Sequence, residues 1–204
     1  EKISDNKIEF TKLYFDKYKG AQLKYNKKLL EGLESVDLDV QTDLRSKSNI
    51  CYPNELEFKD TFEEIGSTYK YTRGTKDFLK ESNLQNHSIK MYNILQSIKK
   101  SSGIIFIFSE FISNGCTPMA LVLERYGLKK YGNKSIYSGE KEKQKYIDEG
   151  GRITERKTNY TANYILLTGT SSNKQKEIEA LRSDKNKNGG VIKVIIGSPT
   201  VAEG

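Results

Sequence analysis

One stretch of the chain, from Gly103 to Gly127, places the strongest constraint on its fold. It opens with five consecutive apolar residues, Ile104 to Phe108, which are β-branched or aromatic. An apolar run without polar alternation is typical of a strand buried on both faces, as in parallel sheets. After a loop, Thr117 is the expected N-cap of a helix, Pro118 its first residue and Gly127 its stop. The stretch therefore predicts half of a βαβ unit.

The same alternation continues on both sides of this stretch. Ser88 is the expected cap of an amphipathic helix from Ile89 to Lys100, which leads into the first strand. A second apolar strand is predicted at 163–167, and Ser172 with Gln175 forms a capping box for the helix after it. A third strand is predicted at 191–196. Strands that alternate with helices predict an α/β fold with a parallel sheet flanked by helices.

Small polar residues follow each predicted strand. They are Ser109-Glu110, Thr168-Gly169 and Gly197-Ser198. If the strands are parallel and their crossovers right-handed, these ends meet at one edge of the sheet, where α/β proteins bind ligands. Hydroxyl groups and exposed amides beside glycine are suited to phosphate oxygens. The sequence therefore predicts phosphate contacts at this edge.

The composition bears on the partners, the metal content and the cellular location that can be expected. The 204 residues carry 34 Lys and Arg against 27 Asp and Glu, a net charge of +7 that is compatible with nucleic acid but common in lysine-rich chains. Cys51 and Cys116 are not in a metal-ligand spacing, and His87 is the only histidine, so we expect reduced thiols and no metal site. No apolar run approaches a membrane span, and the first residues carry no signal-peptide core, so we expect an intracellular protein without a membrane partner.

Three segments are open to two interpretations. An amphipathic helix with a tyrosine stripe is predicted at 8–30, and its tyrosines either pack or stack on bases. The interleaved aromatic and basic residues Tyr69 to Arg73 indicate either a β-strand or a base-stacking surface. The charged segment 128–159 is interpreted as an insertion, either solvated or in contact with nucleic acid. In each case the structural interpretation is favoured, and residues 1–85 are predicted to be an N-terminal connector or an appended subdomain.

The order of these motifs resembles the second RecA-like domain, or helicase C-terminal domain, of superfamily 2 helicases. Ile107 to Phe111 matches motif IV, Thr168 to Thr170 matches the segment after it, and Gly197 to Gly204 matches motif V. The segment SNGCTPMALVLERYG is similar to the branch found in nucleocytoplasmic large DNA viruses, such as poxviruses, asfarviruses and giant viruses. The resemblance implies a RecA-like domain over 86–204 that is truncated after motif V and carries the insertion 128–159.

The resemblance also implies roles for individual residues. Contacts with the sugar-phosphate backbone of DNA or RNA are implied for Ser109, Thr168, Gly169 and Ser198, and a place near the ATP cleft for Glu203 and Gly204. The chain has no GK[ST] phosphate loop, no Walker B motif and no arginine-bearing motif VI. ATP and Mg²⁺ are therefore expected in the full-length protein and not on this fragment, for which no catalytic residue is predicted.

Two functions remain open at this point. The first is that of a fragment of a nucleic-acid-dependent ATPase or helicase, whose partners are DNA or RNA, the first RecA-like domain of the same chain and viral transcription machinery. The second is that of a non-catalytic RecA-like docking module in a viral transcription complex. Either would act in the host cytoplasm or the virion if the protein is viral. A small-molecule α/β enzyme ranks last, because no nucleophile–base pair is evident.

Overall fold

The computed structural model describes residues 38–75, 77–132, 135–168 and 174–199. The predicted helix at 8–30 and the residues Gly169, Ser172, Glu203 and Gly204 lie outside this part of the chain. The helices are α1 Leu38–Lys47, α2 Phe58–Thr61, α3 Glu81–His87, α4 Ile89–Lys100, α5 Thr117–Tyr126 and α6 Lys174–Arg182. The strands are β1 Phe62–Ile65, β2 Thr68–Tyr71, β3 Ile105–Phe108, β4 Lys129–Lys130, β5 Tyr146–Ile147, β6 Ile153–Thr154, β7 Tyr160–Thr161, β8 Asn163–Leu167 and β9 Val194–Gly197.

A parallel four-stranded sheet in the order β3-β9-β8-β4 forms the centre of the molecule. Ile107, Tyr164 and Ile196 point to one face and pack in the main apolar cluster with residues of α4 and α5. On the other face, Ile165 and Ile195 pack with residues of α6. The predicted α/β fold with a helix-flanked parallel sheet is confirmed.

Strand β3 departs from the expected burial on both faces, and that prediction was wrong. Ile107 is buried, but Phe106 and Phe108 on the opposite face are 60% and 51% exposed. The reason is the strand order, because β3 is an edge strand of this sheet and the residues of α6 pack with those of β8 and β9. An apolar run shows that a strand is hydrophobic, but it does not show which neighbours cover it.

The expected helix boundaries at Ser88 and Gly127 are confirmed. Helix α4 begins after Ser88, whose Oγ accepts a hydrogen bond from the amide of Met91 at 3.0 Å. Helix α5 ends at Gly127, which has the left-handed φ of 107° that favours glycine. Thr117 is not an N-cap, because a single π-helical turn, Ile112–Cys116, runs directly into α5 and gives Thr117 helical dihedrals.

The segment before the sheet contributes to the same apolar core. Strands β1 and β2 form an antiparallel hairpin, which confirms that the interleaved segment from Tyr69 is a strand. Aromatic rings of this region pack edge to face, among them Tyr52 on Phe62 at 6.4 Å between ring centroids. Phe62 and Leu84 are buried in the cluster that also contains Ile107 and Ile196.

The described residues of the charged segment 128–159, which are all but 133 and 134, pack in part against the rest of the domain. Lys129–Lys130 forms the outer parallel strand β4, and β5 pairs with β6 and β7 in a small antiparallel sheet. Ile136, Tyr137 and Ile147 are buried in the main cluster. Apolar residues scattered among charges therefore fix this segment against α5.

A buried carboxylate holds one part of this segment. Glu124 of α5 has no exposed surface and accepts hydrogen bonds from the amides of Ile136 at 2.9 Å and Tyr137 at 3.1 Å. The hydroxyl of Tyr164 donates to it at 2.8 Å and Lys141 Nζ at 2.7 Å, and the hydroxyl of Ser135 donates as well. The carboxylate replaces the hydration it loses on burial with these donors.

A buried lysine, Lys193, binds another part of the segment 128–159. Lys193, directly before β9, has no exposed surface, and its Nζ donates to the carbonyl oxygens of Ser101 at 3.0 Å, Gly103 at 2.6 Å and Gly151 at 2.6 Å. Burial lowers the pKa of Lys193 to about 8, and the charge of Asp148 opposes that shift. One ammonium group thus joins the segment 128–159 to the amino edge of the parallel sheet.

Candidate nucleic-acid interface

The carboxyl ends of three strands are level with one another at one edge of the sheet. Phe108 of β3 and Leu167 of β8 both pair with Gly197 of β9. The residues that follow β3 and β9 continue the ladder, because the amide of Ser109 donates to Gly197 O at 3.1 Å and the amide of Ser198 donates to Leu167 O at 3.1 Å. The structure therefore brings Ser109, Thr168 and Ser198 together at adjacent strand ends. We call these three residues the carboxyl-edge set.

The three side chains differ in exposure. Ser109 and Thr168 are half-buried, whereas Ser198 is only 2% exposed. Gly169, the remaining predicted backbone contact, lies outside the described residues, as do Glu203 and Gly204 of the predicted ATP-cleft side. Ser109 and Thr168 are thus the more exposed residues of the carboxyl-edge set.

The loop after β3 is closed by Ser109. Its Oγ accepts a hydrogen bond from the amide of Phe111 and donates to the carbonyl oxygen of Phe111, both at 3.2 Å. Gly115 in the π-helical turn packs directly on it, since a Cβ at Gly115 would lie 2.0 Å from Ser109 Oγ. Only glycine at position 115 is compatible with this position of the serine hydroxyl.

Cys116 lies beneath the same edge. Its thiol donates to Ser109 O at 3.5 Å and to Gly197 O at 3.6 Å, and burial raises the pKa of the thiol. A buried thiol with a raised pKa has little thiolate character at neutral pH, so it is suited to packing and not to nucleophilic chemistry. Cys51 is also a buried free cysteine.

Helix α1 contributes residues to this edge that the sequence did not predict. Arg45 forms an ion pair with Glu110, the residue after Ser109, and its guanidinium lies 5.9 Å from the ring centroid of Phe111. Asn114 donates a hydrogen bond to the hydroxyl of Ser46. The short sequence LRSKS carries no motif, and the contacts join residues 65 or more positions apart, so no local pattern could have revealed them.

The chain lacks a GK[ST] phosphate loop, and no group of three or more His, Cys, Asp or Glu side chains in the described residues could hold a metal ion. Within the same part of the chain, no helix has the length and apolar character required to cross a membrane. The carboxyl edge itself carries hydroxyl, amide and guanidinium groups that can donate hydrogen bonds.

The fold and the carboxyl edge of the sheet together indicate the class of domain to which the chain is similar. A mixed α/β domain with a four-stranded parallel sheet, flanked by helices and carrying small polar residues at its strand ends, is consistent with a RecA-like domain.

Comparison with known proteins gives particular relatives. No family model matches the chain. It is 26% identical over 199 residues to a protein of Acanthamoeba polyphaga mimivirus named as an ATP-dependent RNA helicase, which corresponds to 96% of this chain and 29% of the relative. It is also 26% identical over 149 residues to the termination factor NPH-I homologs of two African swine fever virus isolates, over 66% of this chain and 21% of each relative. The chain thus spans less than a third of the length of these relatives, and it is similar to helicase-like proteins of large DNA viruses.

Proposed function

We propose that the chain is part of a nucleic-acid-dependent ATPase of the helicase type, and that its carboxyl edge contacts the sugar-phosphate backbone. The observation that carries the proposal is the alignment of Ser109, Thr168 and Ser198 at three adjacent, level strand ends. Hydroxyl and amide donors of this kind bind phosphate oxygens without reading bases. The similarity to viral proteins named as an RNA helicase and a termination factor supports the same function.

In a longer protein, strand binding and ATP binding would belong to different domains. This domain would hold the strand, and a first RecA-like domain would supply the phosphate cradle and the Mg²⁺ ligands that these residues lack. Glu203 and Gly204 would face the ATP cleft, and closure of the two domains around ATP would move the strand. Such a protein would act inside the infected cell, in the host cytoplasm or the virion.

Binding of a single strand is the first testable consequence. We expect the chain to bind fluorescein-labelled oligo(dT) and oligo(rU) of about 20 nucleotides, with an affinity that falls as salt rises from about 50 to about 200 mM. The double variant with Ser109→Ala and Thr168→Ala should bind about 3- to 10-fold more weakly, because it removes the hydroxyl groups of the two half-buried members of the carboxyl-edge set and so loses up to two hydrogen bonds to phosphate oxygens. Fluorescence anisotropy measures both effects.

Ser101→Ala is the matched control, because Ser101 lies just before β3 at the opposite edge of the sheet. It should leave the affinity unchanged. Equal affinity of the double variant and the wild type would show that the carboxyl edge is not the contact surface. ATP hydrolysis by the longer polypeptide, measured with and without DNA or RNA, tests whether it is a nucleic-acid-dependent ATPase. A hydrolysis rate that no polynucleotide changes would contradict this function.

One observation favours the docking module as the second candidate. Ile104, Phe106 and Phe108 present an apolar strip on the open face of β3, with exposed fractions of 42% to 60%. A strip of this kind is typical of a surface that another polypeptide covers. The docking function is favoured if the chain binds neither oligonucleotide and the longer protein hydrolyses no ATP.

A further inference from the structure

The carboxyl edge carries a negative charge that a phosphate-binding surface would not be expected to carry. Glu110 follows Ser109 directly, and its side chain is 47% exposed. A carboxylate at this position repels a backbone phosphate that approaches Ser109. In the structure Arg45 neutralises it from helix α1, and Asn114 and Ser46 join the same two segments.

The pair between Arg45 and Glu110 is weakly held. Both side chains are substantially exposed, and ion pairs of this kind contribute about 0–1 kcal/mol to stability. The guanidinium has five N–H donors in a planar fork, and its contact with Glu110 is made through Nη2. The geometry that suits a carboxylate also suits a phosphate, so a phosphate can take the place of Glu110 at little cost in folding free energy.

The ring of Phe111 restricts where the guanidinium can move. Arg45 Cζ lies 5.9 Å from the centroid of this ring, in a cation–π contact. Phe111 in turn is tied to Ser109, because its amide donates to Ser109 Oγ and its carbonyl oxygen accepts from it. The charge of Arg45 is thus held against the loop that Ser109 closes.

We propose that Arg45 is a phosphate-binding residue of this edge, and that Glu110 occupies its guanidinium until a strand binds. The inference rests on the proposed function, because it assigns a further contact to the same strand. It gives the surface a cation that comes from outside the parallel sheet. It also makes Glu110 an internal competitor that lowers the affinity for any polyanion.

The test compares the wild type with Arg45→Ala, Arg45→Lys and Glu110→Gln by fluorescence anisotropy on the same oligo(dT) and oligo(rU). Arg45→Ala should bind both about 5-fold more weakly, and the slope of log K against log salt should fall by about 0.7, the value for one phosphate contact on a single strand. Arg45→Lys keeps the charge but not the planar fork of N–H donors. Its affinity should therefore lie between those of the wild type and Arg45→Ala. Glu110→Gln should bind about 3- to 5-fold more tightly, and its gain should be smaller when Arg45→Ala is also present.

Arg152→Ala is the matched control for loss of one arginine. Arg152 is exposed and follows Gly151, which contacts Gly103 at the amino edge of the sheet. The inference is overturned if Arg45→Ala binds as tightly as Arg152→Ala, or if Glu110→Gln does not raise the affinity. Should Arg45→Ala not fold, as judged by circular dichroism, the results for Arg45→Lys and Glu110→Gln decide the question.

The experiment separates failure of the inference from failure of the proposed function. If the wild type binds and the Ser109→Ala, Thr168→Ala variant is weakened while Arg45→Ala is not, only the role of Arg45 is wrong. If the wild type binds neither oligonucleotide at about 50 mM salt, both proposals fail together.

Discussion

Replacement of Glu124 by alanine is expected to lower the free energy of unfolding by about 3–5 kcal/mol, because it removes a fully buried carboxylate and leaves its hydrogen-bond donors without an acceptor. The amides of Ile136 and Tyr137 and the hydroxyl of Tyr164 would remain buried without their present acceptor. The loss should also release the charged segment from α5. Thermal and urea unfolding, followed by circular dichroism, measure the effect, which corresponds to a fall in Tm of about 10 °C.

Two further variants make this expectation specific. Glu179→Ala removes an exposed carboxylate from α6 and should change the free energy of unfolding by less than about 0.5 kcal/mol. Glu124→Gln keeps the shape of the side chain but turns an NH₂ group toward the donors, so its effect should lie between those of the two alanine variants. If Glu124→Ala melts at the same temperature as Glu179→Ala, the carboxylate is not the anchor described above.

Lys193→Met is the second large change, and its effect should depend on pH. The methionine has a similar volume but donates nothing to the three carbonyl oxygens that Lys193 Nζ now satisfies, which predicts a loss of about 1–3 kcal/mol near neutral pH. The pKa of Lys193 is lowered by burial to about 8, below the value of about 10.4 in an unfolded chain. Burial therefore penalises the charged form in the folded state below pH 8.

The sign of the pH effect follows from proton binding. Between about pH 8 and about pH 10.4 the unfolded chain binds more protons at this lysine than the folded chain, so the wild type gains stability as the pH rises. The difference in unfolding free energy between the wild type and Lys193→Met should accordingly be larger at about pH 9.5 than at about pH 7. Urea unfolding of both proteins at the two pH values measures it, with the exposed Lys100→Met as control. A difference that stays constant or shrinks with pH would contradict this assignment.

Local patterns predicted the elements whose determinants lie close together in the sequence. Strand β8 has the predicted bounds, because its apolar run from Tyr164 to Leu167 lies between the polar residues Asn163 and Thr168. Ser88 caps its helix through its own hydroxyl group, and Gly127 ends its helix through its own positive φ. The alignment of the strand ends could also be predicted, since it requires only parallel strands and right-handed crossovers.

The features that local patterns did not predict depend on contacts between residues that are distant in the sequence. The exposure of Phe106 follows from the strand order, and Glu124 and Lys193 look like ordinary surface charges until their partners are known. The place of Arg45 at the carboxyl edge depends on Glu110, 65 residues away. Residue types alone do not show such pairings, whereas the alternation of apolar strands and capped helices shows the fold.

The position of β9 in the sheet has a consequence for how the domain is made. Val194–Gly197 follows all the other described strands in the chain, yet it lies between β3 and β8, which have no hydrogen bonds to each other. During synthesis, β3 therefore emerges from the ribosome long before the strand that pairs with it. Until then Phe106 and Phe108 belong to an unpaired apolar segment, the kind of surface that chaperones protect and that aggregates. Completion of the sheet is thus expected to be a late and slow step of folding, because it requires contacts between distant residues.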